Sequence, residues 1–325
     1  MPFRARMLNG KSEDNALYVD VQNWHSTLLF DCGQNRLPFG ELLRLSDVFL
    51  SHMHMDHFIG FDHLLRPHLN VPQPKTLRIH GPEGTIDKVY HKLQGYTWNL
   101  TQDSTFSIEA REVLPDRVRW RTYACARAFE ATGPVEEGPA TDLLLDTPLF
   151  AVRCAILDHG IPCLAFALEE KTRWRIDREA LEKMGLPEGP WLARLKDLVQ
   201  AGAPATEQLE VEGRRMNLGD LQAKLIHEVP GHKIAYVTDT IANEETTSRA
   251  TALAKGADHF FCEAVFLEED AKLAEQNFHM TAKQAGTLAR GAGVKRMEIM
   301  HHSRRYRGKE GQFLAEARSE FPHVC

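Results

Sequence analysis

Two spacings of apolar residues alternate along the chain. Runs of strand length, ALYVDV (16–21), STLLFDC (26–32), DVFLS (47–51), LRIHG (77–81), LFAVRCAIL (149–157), KIAYVTD (233–239), HFFCEAVF (259–266) and RMEIM (296–300), are separated by stretches with helix-like character. Those stretches predict helices at EGTIDKVYHKLQG (83–95), DREALEKMG (177–185), PWLARLKDLVQ (190–200), EETTSRATALAKG (244–256) and TAKQAGTLARG (281–291). With no fixed-period repeat, such alternation predicts layered α/β architecture. Thr281 stands three residues before Gln284, the spacing of a reciprocal side-chain and backbone cap, so a helix start is predicted there. ATGPVEEGPA (131–140) and GLPEGP (185–190) are rich in turn formers and are expected to be loops rather than linkers, which leaves one domain.

Composition narrows the class. At 325 residues and 43% hydrophobic the chain can bury a large core. No uncharged apolar run approaches the roughly 20 residues of a membrane span, and MPFRARMLNG lacks the apolar centre of a signal peptide, so a soluble cytoplasmic protein is expected. Six cysteines without a CxxC pair are expected to be reduced and mostly buried. A net charge of −6 argues against passive coating of nucleic acid. Local basic clusters remain at REVLPDRVRWR (111–121), KTRWRIDR (171–178) and RRYRGK (304–309), the last beside a histidine pair.

SHMHMDHF (51–58) changes the picture more than composition does. His52 and His54 alternate on an extended segment and can point the same way, with Asp56 and His57 following as the chain turns toward a helix. Three imidazoles and a carboxylate so close together suit a metal of the Zn²⁺, Mn²⁺ or Fe²⁺ type. Further candidates each end an apolar run: His159 in ILDHG, Asp239 in VTDT and His301 in IMHHS. Residues at strand ends can meet at one edge of a layered sheet.

The ordered set SHMHMDH, LDHGIP, YVTDT, FCEAVF, FHMTA and MHHSRRY resembles the ribonuclease Z branch of the metallo-β-lactamase superfamily. FHMTAKQAG followed by IMHHSRRY is the more specific part. The resemblance implies a four-layer αββα sandwich with two mixed sheets and two divalent metal ions per chain, zinc first and Mn²⁺ or Fe²⁺ as alternatives. By the same resemblance His52, His54 and His159 hold one ion, Asp56, His57 and His301 the other, and Asp239 bridges them. Asp56 would also orient the attacking water, His279 would be the general acid, and Glu263 would fix a neighbouring imidazole.

The implied activity is endoribonucleolytic removal of the 3′ trailer of pre-tRNA, by a possible homodimer. A phosphodiesterase for small or cyclic-nucleotide esters and a non-catalytic metal-holding protein are the competing readings. An arm that grips the substrate is expected at about 171–230 with Gly189 and Pro190, and substrate contacts are expected from Arg304, Arg305 and Tyr306. Basic Arg173, Arg175, Arg178, Arg194 and Lys196 surround that arm, while Trp191, Leu192, Leu195, Leu198 and Val199 form a packing stripe along it. The chain departs from the family pattern at DCGQNRLP (31–38), at Met280 in place of Ser and at His302 in place of Phe.

Overall fold

A computed structural model describes residues 2–69 and 73–325. Each apolar run quoted above overlaps a strand. The first sheet takes its strands in chain order: β1 (Phe3–Met7), β2 (Leu17–Val21), β3 (Thr27–Phe30), β4 (Leu45–Phe49), β5 (Lys75–Pro82), β6 (Phe106–Val113), β7 (Arg117–Ala124) and β8 (Glu136–Pro139). The chain continues through β9 (Leu143–Asp146), β10 (Phe150–Asp158) and β11 (Pro162–Glu170). It then passes through β12 (Arg173–Ile176), β13 (Gln208–Val211), β14 (Arg214–Asn217) and β15 (Ile226–Val229) before β16 (Lys233–Val237), β17 (His259–Glu263) and β18 (Met297–Met300). The second sheet has the order β18-β17-β16-β11-β10-β9.

Parallel neighbours need a crossover, and the helices supply it. Phe39–Arg44, Phe61–His68 and Thr85–Gln94 join the parallel strands β3 to β6, and Glu244–Ala254 and Ala282–Ala292 join β16 to β18. Strands covered on both faces are apolar throughout, which is why they read as continuous runs. Between the sheets, Leu28, Phe30 and Phe49 meet Val152, Leu164, Phe166, Tyr236 and Phe261. The outer faces bury against helices: Leu42, Leu64 and Val89 on one side, Ala250, Leu288 and Phe313 on the other. The result is an αββα sandwich.

Thr281 and Gln284 form the reciprocal cap. One loop expectation needs correction: residues 136–139 form the edge strand β8. Its exposed glutamates and Pro139 suit a sheet edge that must not pair further. Five of the six cysteines are buried, and none is paired.

Glu170–Gly231 form a separate compact unit. Its core gathers Leu181, Trp191, Leu195, Leu198, Leu218 and Leu221 from the helices Arg178–Lys183, Trp191–Gln200 and Leu218–Leu225. The ladders β12·β15 and β13·β14 complete it. Asp177 caps the first of these helices by accepting from the Ala180 amide at 2.9 Å. No helix among the described residues is long and apolar enough to cross a membrane.

Candidate metal centre

Strands that run parallel end at the same edge, and the candidate ligands follow those ends. His52 and His54 lie just beyond β4, His57 on the short helix Met55–Phe58, Asp239 beyond β16 and His301 beyond β18. His159 follows β10 from the same sheet as Asp239 and His301. Gly60 lets the histidine segment sit down on the loop after β3, since a Cβ there would come within 2.2 Å of the Gly33 carbonyl oxygen.

Asp239 is the centre of the arrangement. Its Oδ2 lies 3.4 Å from Nε2 of His57 and 3.7 Å from Nε2 of both His52 and His159, while Oδ1 lies 3.4 Å from Nε2 of His301. Asp56 Oδ2 stands 3.4 Å from His57 Nε2 and 3.8 Å from His301 Nε2. His54 joins His52 and His159 in a further cluster of possible ligand atoms.

The rings are held from outside by their other nitrogens. His57 Nδ1 hydrogen-bonds Asp31 at 2.8 Å, His159 Nδ1 the Phe278 carbonyl at 2.8 Å, His301 Nδ1 the Asn15 side chain at 2.7 Å and His52 Nδ1 the Ser51 hydroxyl at 3.1 Å. Holding one nitrogen sets the ring's orientation and aims the other inward. His52 Nε2 and His57 Nε2 are buried and find no hydrogen-bond partner. Orphaned imidazole nitrogens facing a shared carboxylate fit divalent metal ions, and the imidazole and carboxylate donor set suits borderline cations.

The charges are strongly perturbed. Burial and the charge of His57 push His52 down to about 2. Burial disfavours a charged His57, but the carboxylates of Asp31 and Asp239 outweigh it and raise its pKa. Burial likewise works against ionised Asp56 and Asp239, yet the surrounding imidazoles hold both below the usual carboxylate range.

Beside this cluster, His279 Nδ1 contacts Glu263 Oε2 at 3.0 Å, and its ring centroid is 4.7 Å from that of His159. Glu263 is fully buried and also accepts from the Thr240 amide at 2.6 Å. Burial alone would lower the His279 pKa, but the Glu263 carboxylate raises it to about 9.

The residues expected to contact substrate have differing environments. Tyr306 is buried against Phe313 and donates its hydroxyl to Asp270, so it packs the shell rather than offering itself to a substrate. Arg304 and Arg305 are exposed, the former donating to the Ser12 carbonyl. Gly189 and Pro190 belong to the Glu170–Gly231 unit, where they precede the helix Trp191–Gln200. His302 stacks on Phe313 at 4.1 Å, with both ring nitrogens unpartnered.

Sequence reasoning missed Asp31, Asn15 and Phe278 as supports. The available signal for Asp31 was a carboxylate ending an apolar run in STLLFDC. Backbone conformation marks the same area: Asp31, Asp239, Phe278 and His301 are half of the eight non-glycine residues with positive φ among those described. Such strain persists where surrounding structure enforces it, commonly at functional sites.

No protein-family model matches the chain. It is 35% identical over 324 residues to the ribonuclease Z of Deinococcus radiodurans, covering 98% of this chain and 96% of that protein. The chain belongs to the ribonuclease Z family. A ribonuclease Z from Synechocystis shares 32% identity over 91% of this chain and 81% of its own. The fold agrees with human tRNase Z, short form, at a TM-score of 0.53 and 18% identity, covering 93% and 92% of the two chains. The metallo-β-lactamase fold protein YhfI from Bacillus subtilis gives 0.56 at 15% identity, covering 100% of this chain and 95% of its own. This member of the ribonuclease Z family is therefore a metal-dependent hydrolase of the metallo-β-lactamase fold and a ribonuclease Z-like endoribonuclease. The small-ester and non-catalytic readings are not favoured.

Proposed function

We propose that His52, His54 and His159 hold one divalent ion, that Asp56, His57 and His301 hold a second, and that Asp239 serves both. The ions are zinc, and the reaction is hydrolysis of the phosphodiester joining the 3′ trailer to a pre-tRNA. When bound, such a pair supplies positive charge to phosphate oxygens and lowers the pKa of coordinated water toward about 7. Asp56 orients the attacking water and takes its proton as the water oxygen bonds to phosphorus. His279 gives its Nε2 proton to O3′ as the P–O3′ bond breaks, while Glu263 holds Nδ1 and keeps the ring charged and oriented. The products are a 3′-hydroxyl and a 5′-phosphate.

The supporting observation is that four imidazole ε-nitrogens lie within 3.7 Å of one carboxylate, in a chain alignable end to end with a ribonuclease Z. The test is incubation of zinc-loaded protein with a 3′-extended pre-tRNA, with and without chelator. Chelator-sensitive release of an intact trailer carrying a 5′-phosphate is expected. Cleavage that survives metal removal, or a 3′-phosphate product, would refute the proposal.

The Glu170–Gly231 unit is proposed as the arm that grips RNA. Over that range the chain has ten Lys and Arg against eleven Asp and Glu, a net of −1. Phosphate contacts then rest on local groups, Arg175, Arg194 and Lys196, rather than on a general positive field, since Arg173 is engaged with Glu170 at 3.0 Å. Arg178 is engaged with Glu188 at 3.1 Å. Arg304 and Arg305 would contact the substrate beside the metal centre.

A further inference from the structure

Large apolar side chains are concentrated around a site whose chemistry is ionic. Eight are exposed among the described residues, and four of these, Met55, Ile59, Ile161 and Phe278, lie within two residues of a candidate ligand or His279. Their exposures are 76%, 45%, 40% and 37%. Single apolar side chains on a surface are ordinary, but half of the exposed ones gathered along the segments of one site point to an occupant.

Phe278 is the member that the fold fixes most firmly. Its backbone is left-handed, with φ of 57°, and its carbonyl accepts from His159 Nδ1 at 2.8 Å. The next residue is His279, whose amide donates to the Ala274 carbonyl at 2.9 Å. The phenyl ring lies against Gly160, where three ring carbons would stand 3.1–3.3 Å from a Cβ, so a glycine is needed for the ring to come this close. Left-handed backbone is unfavourable for a bulky residue, and the ring it presents is not buried. Core packing therefore does not account for Phe278.

We propose that the Phe278 ring is a stacking platform for an unpaired nucleobase, that of the nucleotide whose O3′ departs. This rests on the endoribonuclease reading. In that reading His279 protonates O3′, and Phe278 precedes it and supports His159 through its carbonyl at 2.8 Å, so the base on the same ribose is the one assigned to the ring. Every base has a π-face, so stacking on an aromatic ring tolerates sequence while still requiring a base. Ile161 follows Gly160, on which the ring rests, and Met55 follows His54; both are exposed. The platform requires the presence of a base and discriminates little between bases.

The test compares two 3′-extended RNA substrates, one intact and one abasic at the nucleotide preceding the scissile bond, in wild type, Phe278→Leu and Phe278→Trp. The wild type should favour the intact RNA by about 5- to 30-fold in kcat/KM. Phe278→Leu, which keeps apolar bulk without the ring, should bring that ratio close to one, and Phe278→Trp should preserve it. 2-Aminopurine at the same nucleotide should be quenched on binding in chelator by the wild type and by Phe278→Trp, but not by Phe278→Leu. A wild-type ratio of one, or the same ratio in wild type and Phe278→Leu, overturns the platform while leaving the ribonuclease reading intact. Metal-loaded wild type that cleaves neither RNA overturns both.

Discussion

Asp31 accepts a hydrogen bond from His57 Nδ1 at 2.8 Å, between side chains that are both fully buried. The same carboxylate accepts from the Ser51 amide at 2.7 Å, the Ser51 hydroxyl at 2.9 Å and the Tyr236 hydroxyl at 2.7 Å. It joins the first sheet to the second beneath the metal centre. Asp31→Ala should lower metal affinity by about 10- to 100-fold, because His57 loses the group that orients it. Competition with a chromogenic chelator measures this. Unchanged affinity would show that Asp31 only fills space.

His279→Ala should keep its metal content yet lose about 10²- to 10⁴-fold in kcat on pre-tRNA, the usual contribution of a general acid. On bis(p-nitrophenyl) phosphate the loss should be much smaller, because nitrophenolate leaves without a proton. His301→Ala should instead deplete metal and slow both reactions. Elemental analysis beside kinetics on the two substrates separates a proton donor from a ligand, and equal losses on both substrates for His279→Ala would refute its assigned role.

His68 lies away from the ligands, fully buried, stacked on Phe106 at 5.2 Å, with both ring nitrogens lacking hydrogen-bond partners. Burial, and then the charge of Lys75, lowers its pKa to about 3. An unfolded histidine titrates near about 6.5. Between those values the unfolded chain binds a proton that the folded chain refuses. The group's full contribution to stability is thus present above the unfolded pKa and is lost as pH falls toward 3. His68→Phe should flatten the acid limb of stability by about 1.4 kcal/mol per pH unit across that window. Urea titrations at stepped pH measure the slope, and an unaltered slope would assign acid sensitivity to other groups.

His302 is buried with two unpartnered nitrogens where the ribonuclease Z pattern has phenylalanine. His302→Phe keeps the stack on Phe313 and removes the desolvated polar atoms, so the protein should gain about 1 kcal/mol. Its metal content should not change. A loss of stability in urea would mean that the pocket is shaped for the smaller ring.

The parts of this molecule legible in its sequence share a physical cause. Strands covered on both faces are continuous apolar runs, and β3, β4 and β16 stand out for that reason. β6 and β7 interleave charged with apolar residues, as in FSIEAREV and RVRWRTYA, and were absent from the expected strands. The candidate ligands stood out because imidazoles spaced two residues apart have few other uses. Asp31 and Asn15 were not, because a supporting residue is recognised by the atom it touches, and Asn15 reaches His301 across 286 positions of sequence. Phe278 was hidden for a different reason: its support of His159 comes from a backbone carbonyl, which any residue type carries.

The proposed centre would draw its donors from both sheets. His52, His54, Asp56 and His57 follow a strand of the first, whereas His159, Asp239 and His301 follow strands of the second. An ion held between them would act as a cross-link over the sheet–sheet boundary, closing a contact between residues more than a hundred positions apart. Metal binding to the folded chain alone is then also folding free energy, which grows with the free ion concentration. The consequence is mechanical as much as chemical: chelation should leave the secondary structure in place but allow the two halves of the sandwich to part more often. Amide hydrogen exchange should accelerate first in β4 and β16, the strands nearest the lost clamp.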